Sequence, residues 1–119
     1  MSSAAYKHIN LDYLELMSDG DSDMKKTMLE MLLAEIPDEF SKMRGLVNDQ
    51  NWEELTQVSH KMKSTLAFVG NEELTNANKQ LELLSKNEED FEQIRNLMSI
   101  LESKLEFVTD ELQVEHDSI

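Results

Sequence analysis

His60 stands in a helical stretch with Lys63 three residues after it, and Ser64 and Ala67 one and two turns further on. A neutral imidazole offers a nucleophilic ring nitrogen, and a lysine beside it can offset the charge of an anionic group delivered there. Small neighbours let a second protein come close. The apolar residues Trp52, Leu55, Val58, Met62, Leu66 and Val69 recur at spacings of three and four and so share one face. At about 100° per residue, His60 points about 150° away from that stripe. Spacing alone leaves an ordinary surface histidine as the more frequent alternative to a reactive one.

A second residue joins the first through helix geometry. Gly70 followed by Asn71 reads as the turn of an antiparallel hairpin, so equal distances from it mean equal heights. His60 lies 10 residues before Gly70 and Glu82 lies 11 residues after Asn71. Both therefore sit roughly 15 to 17 Å from the turn. Glu82 flanks Leu81 at the edge of its helix's core stripe, where a carboxylate can reach the groove between the helices. Such a contact holds one ring nitrogen as N–H and leaves the other bare and outward-facing, as a histidine nucleophile requires. Lys63 and Glu82 pull the charge of the ring in opposite directions, and the sequence does not rank them. The plainer alternatives are a solvated Lys63, a Glu82 that is one acid among many or merely an i, i+3 partner of Lys79, and a Lys61 that is ordinary surface.

The elements that must position these groups are helices. The first starts with Asn10 as N-cap, with Ile9 and Leu14 as a hydrophobic staple, and ends before Ser18-Asp19-Gly20. The second follows Asp21. Its stripe of Met24, Met28, Met31, Leu32, Ile36, Phe40, Met43 and Val47 stays in phase through Pro37, which predicts a kink or break there, with the methionines filling core. Asn51 caps the third helix, with Glu54 in the capping-box position, and Gly70 stops it. Asn71 caps the fourth, whose stripe is Leu74, Ala77, Leu81 and Leu84. Asn87 caps the fifth, which carries Phe91, Ile94, Met98, Leu101, Leu105, Val108 and Leu112, with a frayed tail from Glu115. No segment alternates as a strand. The pattern predicts an all-α protein: an antiparallel four-helix bundle spanning about residues 9–112, preceded by a short extra helix, as one domain over 1–119 with both termini frayed.

Composition narrows the chemistry. Net charge is −14, from 25 acidic and 11 basic side chains, which argues against nucleic acid and against an anionic membrane surface. The excess acid reads first as solubility, and second as a bias toward basic partners. There is no Cys, so disulfides, thiolate zinc sites and cysteine nucleophiles are excluded. His8, His60 and His116 lie too far apart to read as a metal set, and the first and last of these are expected to be solvent-exposed. No signal or membrane-spanning segment is evident, so the expected location is cytoplasmic. There is no Gly-rich phosphate loop, and no Ser-His-Asp set in recognisable context, to suggest an independent enzyme.

The run His60-Lys61-Met62-Lys63-Ser64-Thr65, with Gly70 ten positions after the histidine, resembles the signature of histidine-containing phosphotransfer (HPt) domains. Leu11-Asp12-Tyr13-Leu14, Asn51-Trp52-Glu53-Glu54-Leu55 and the stretch from Leu74 to Leu84 extend the likeness over roughly residues 9–110. The resemblance implies a phosphorelay intermediate without catalytic machinery of its own. His60 would accept a phosphoryl group from the aspartyl phosphate of a receiver domain and pass it to another. Lys63 would accompany that group, and Glu82 would take the place of the Glu or Gln that hydrogen-bonds the imidazole. Ser64 and Gly70 would support the site. Ser64 departs from the commonest glycine and would narrow the choice of partner; Thr65 keeps the usual hydroxyl. The implied partners are response-regulator receivers and a hybrid histidine kinase, met by a monomer. Gln57, Lys61, Ala67 and Phe68, with Leu11 and Leu14 of the first helix, are the docking candidates. No cofactor is expected on this chain, because Mg2+ belongs to the receiver. The competing reading is an HPt-like module that occupies a receiver or kinase without carrying phosphate.

Overall fold

A computed structural model describes residues 6–119. Five helices follow one another: α1 (Asp12–Ser18), α2 (Ser22–Asn48), α3 (Trp52–Val69), α4 (Glu72–Asn87) and α5 (Phe91–Asp117). The last four pack in a closed ring, α2 on α3, α3 on α4, α4 on α5 and α5 back on α2, while α1 lies across α2 and α3. Short turns make ring neighbours antiparallel. At 1.5 Å per residue the 27 residues of α2 span about 40 Å, close to the 44 Å long axis of the molecule. Among the described residues no helix is long and apolar enough to cross a membrane.

The stripes meet in one core that includes Leu29, Ile36, Phe40, Met43, Leu55, Met62, Leu66, Leu74, Leu81, Ile94, Met98 and Leu101. Burial of this apolar surface, non-directional and proportional to area, drives the assembly. Capping fixes where the helices begin: Asp21, Asn51 and Asn71 accept from the backbone N–H groups of Met24, Glu54 and Leu74. Gly70 ends α3 at a φ of 70°. A Cβ at that position would come within 2.2 Å of the Asn10 carbonyl oxygen, so glycine is required both by backbone conformation and by close approach. The Asn10 N–H donates to Val69 O, and Asn71 Nδ2 donates to His8 O, strapping the N-terminal segment onto the α3–α4 turn.

Several expectations are corrected. Of the kink or break expected at Pro37, the break is absent: α2 runs through it as one helix. Its buried stripe passes through Leu29 instead of Met24 and Met31, which are exposed. The N-cap position of α1 is Leu11, whose carbonyl accepts the first helical bond, while Asn10 Oδ1 accepts from the Asp12 N–H. Asp90, not Asn87, caps α5, because α4 continues through Asn87 and ends in the left-handed Glu88. The C-terminal tail is not frayed: α5 continues to Asp117, and Glu115 is buried, bonded by Tyr6 and Lys25. Residues 1–5, where N-terminal fraying was expected, lie outside the described residues.

Candidate functional site

His60 lies in the middle of α3, on the side turned away from the core. Its side chain keeps 68% of its exposure, whereas that of its partner Glu82 on α4 keeps 17%. His60 Nδ1 and Glu82 Oε2 are 2.8 Å apart. A carboxylate can only accept, so Nδ1 carries a proton, and in the neutral ring Nε2 is the nitrogen with the free lone pair. The contact predicted from equal heights about the Gly70 turn is therefore present. Lys63 Nζ stands 3.5 Å from the other oxygen, Oε1 of Glu82. Glu82 thus takes Lys63 rather than Lys79 as its cationic partner. A bare, exposed nucleophile, with a lysine one turn away and a carboxylate behind the ring, can take up an anionic electrophile and balance the charge that follows.

The remaining candidates separate. Ser64, Gln57, Lys61 and Ala67 are exposed on α3. Lys61 is held back by Glu39 on α2, at 3.4 Å, and the other oxygen of that buried carboxylate has no partner. The Thr65 hydroxyl is turned inward and donates to Glu35 Oε1 at 2.7 Å. Phe68 is half-buried and stacks on Tyr13 of α1 with ring centres 5.1 Å apart. Leu11 and Leu14 are buried, at 6% and 0% exposure, so they cannot touch a partner. They are the anchor by which α1 holds the bundle, and the exposed apolar side chains of that helix are Tyr13, Leu16 and Met17. Gly70 shapes the turn two helical turns or more from the imidazole and supports the site only through the α3–α4 hairpin. His8 and His116 are not simply solvent-exposed. His8 stacks on Phe107, and His116 bridges Glu30 and Asp117, contacts that hold its pKa above the ordinary histidine value.

Two depressions flank α3 at this level. On the α2 side, Met28, Met31, Leu32, Glu35, Ser64, Thr65 and Phe68 line an apolar cleft of about 170 Å3. On the α4 side, Lys63, Lys79, Lys86, Asn76, Gln80, Glu82 and Leu83 line a groove of about 460 Å3. Three lysines and one carboxylate line this groove in a chain of net charge −14, so the groove carries the opposite sign to the molecule. Sequence reasoning missed both depressions. It also missed a buried polar contact beneath His60, between Ser59 and Asn78. Its signal was present: each residue stands on its helix's apolar stripe, Ser59 four after Leu55 and Asn78 four after Leu74.

The chain is a helical bundle that carries an exposed imidazole, braced by a carboxylate, on an open flank of α3. The family model for the Hpt domain matches residues 27–104, more than half of the chain, and the protein belongs to the Hpt family. Its role accordingly lies in phosphotransfer within two-component signalling, as a phosphoryl carrier that meets receivers and kinases. Comparisons with curated proteins and with solved structures returned no match.

Proposed function

We propose that His60 is the phosphoryl-accepting residue, and that the chain relays the group from the aspartyl phosphate of one receiver domain to the aspartate of another. The observation that carries this reading is the 2.8 Å contact of Nδ1 with Glu82 on a ring that is otherwise open to solvent. Nε2 attacks phosphorus and a P–N bond forms. The P–O bond to the receiver's aspartate breaks, and the carboxylate leaves with the electron pair. The ring gains positive charge, which Glu82 faces across Nδ1–H, so no proton has to depart before the group moves on. Lys63, now near three anionic oxygens, offsets the phosphoryl charge. Reversal of the same steps delivers the group to the next receiver.

Mg2+ and the in-line geometry come from the receiver in this reading, and this chain needs no ligand set. The receiver docks across the exposed part of α3 (Gln57, Lys61, Ser64, Ala67) and onto Phe68, Tyr13 and Met31 beside it. The protein works as a monomer in the cytoplasm, where receivers act, and a hybrid kinase supplies the first receiver. The test is transfer of radiolabel from a panel of phosphorylated receivers. Wild type takes up label that is stable to base and labile to acid, as a P–N bond is, and His60→Gln takes up none while keeping its helicity and melting temperature. Labelled His60→Gln would overturn the assignment.

A further inference from the structure

Beside the His60–Glu82 contact, on its buried side, lies a second link between the same helices. Ser59 Oγ is 3.0 Å from Asn78 O and 2.8 Å from Asn78 Oδ1, and Asn78 Nδ2 donates back to Ser59 O at 2.9 Å. Ser59 is 0% exposed and Asn78 is 1% exposed, and both belong to the surface where α3 meets α4. Ser59 immediately precedes His60, and Asn78 is one turn before Glu82. Farther from the Gly70 turn, Thr56 Oγ1 meets Ser85 Oγ at 3.0 Å.

Polar groups at core positions cost desolvation, and leucine or alanine there would pack without that cost. What hydrogen bonds add is direction. The two-residue connection at Gly70–Asn71 limits how far α4 can slide along α3, but it does not fix rotation of α4 about its own axis at the height of His60. Apolar contacts between Leu55, Met62, Leu74 and Leu81 tolerate such rotation because they are non-directional. A rotation of about 20° moves a side-chain tip on a helix of 5 to 6 Å radius by about 2 Å. That would break the bond from His60 Nδ1 to Glu82. The side chains one turn either side of Glu82 are Asn78 and Lys86, and neither supplies a carboxylate.

We infer that Ser59 and Asn78 are positioning residues: their reciprocal hydrogen bonds set the rotation of α4 that brings Glu82 onto His60 Nδ1, and so keep Nε2 unprotonated and outward. Neither touches the transferred group. The inference deepens the phosphotransfer reading, but its first readout does not depend on it.

The experiment compares wild type with Ser59→Ala/Asn78→Leu, which removes both halves of the clamp at similar volume, with the milder Ser59→Ala, and with Val108→Ala, a core truncation lower on α5. The nitrogen shifts of the His60 ring, followed through its pH titration by NMR, report which nitrogen carries the proton. Phosphoramidate, a donor small enough to need no docking partner, reports intrinsic reactivity: its P–N bond breaks, ammonia leaves, and the phosphoryl group bonds to Nε2. In wild type and Val108→Ala the neutral ring is expected as the Nδ1–H form. In the double variant the proton moves toward Nε2 and phosphorylation slows about tenfold, the scale of a reacting atom misplaced by part of an ångström to an ångström. Ser59→Ala, which keeps the Asn78 bond to the Ser59 carbonyl, falls between and decides the matter if the double variant fails to fold. Wild-type shifts and rates in the clamp variants would overturn the inference, as would an equal change in Val108→Ala. If wild-type His60 takes no phosphoryl group, the phosphotransfer reading falls, and the ring shifts still decide the clamp.

Discussion

The two flanks of α3 offer a partner different physics. Toward α2 the cleft is lined by Met28, Met31, Leu32 and Phe68, with Met31 58% exposed. Toward α4 the groove holds Lys63, Lys79 and Lys86 around Glu82. Apolar surface acts at contact and holds a docked complex together; charge acts at a distance and speeds the encounter. Net charge alone read first as solubility and second as a bias toward basic partners. The arrangement shows that a global balance of −14 says little about the few side chains beside the reactive one.

The contrast can be broken most completely at the residue between the two flanks: His60→Gln should abolish phosphoryl transfer while leaving both flanks able to bind. On the apolar side, Met31→Ser should weaken a cognate receiver about tenfold, or about 1.4 kcal/mol. Surface plasmon resonance should place that loss in the dissociation rate, with the salt dependence unchanged. On the cationic side, Lys79→Glu with Lys86→Glu should slow association about threefold at low salt, and the difference should fade near 1 M, where charges are screened within about 3 Å. Equal salt responses for the two variants would erase the distinction between the flanks.

The smallest effect on the site is expected from the polar network of Tyr6, Glu15, Lys25 and Glu115, where α1, α2 and α5 meet. Burial works against the Lys25 ammonium, but hydrogen bonds to Glu115 and Glu15 outweigh it and raise its pKa. Burial likewise opposes the Glu115 carboxylate, yet Lys25 and Tyr6 hold it below its ordinary 4.5. Burial and the Glu115 contact push the Tyr6 phenol up to about 12 from 10.0. Glu115 therefore contributes stability above pH 4.5 that is lost as pH falls through its lower folded value. Tyr6 and Lys25 contribute stability that is lost as pH rises past 10.0 and 10.5 through their raised values. Lys25→Met should flatten the acid limb of the stability–pH profile, reduce the alkaline limb to the share of Tyr6, and lower stability by about 3 kcal/mol, because Glu115 loses its cation. The ring shifts of His60 should not respond.

Much of this molecule is written locally. Three-four spacing gives the helices, and Asp21, Asn51, Gly70 and Asn71 mark their ends, because a cap needs only its own few residues. Glu82 was legible for the same reason: a two-residue turn converts counting into height. Failures came where neighbours from elsewhere in the chain decide. Met24 and Met31 keep the period of α2, but Leu29 keeps one nearly in register with it, and only the placement of α3 and α5 shows which arc is covered. Leu11 and Leu14 look able to meet a partner at the edge of the bundle until α1 is laid across α2 and α3, which covers both. Asn87 is a competent cap, yet α4 takes it as its own last residue. Ser59 and Asn78 each look incidental alone and acquire meaning only as a pair.

The two-residue connection at Gly70–Asn71 bears also on the order in which the molecule assembles. α3 and α4 are consecutive in the chain and adjacent in space, so the loop closed by their docking is short and its entropy cost small. The N-terminal strap, by contrast, brings Asn10 to Val69 and must close a loop of nearly half the chain. His60 and Glu82 therefore meet in the segment with the most local topology, and the strap is expected to seal the turn afterwards. Pulsed hydrogen exchange during refolding should show the amides of α3 and α4 protected before that of Asn10.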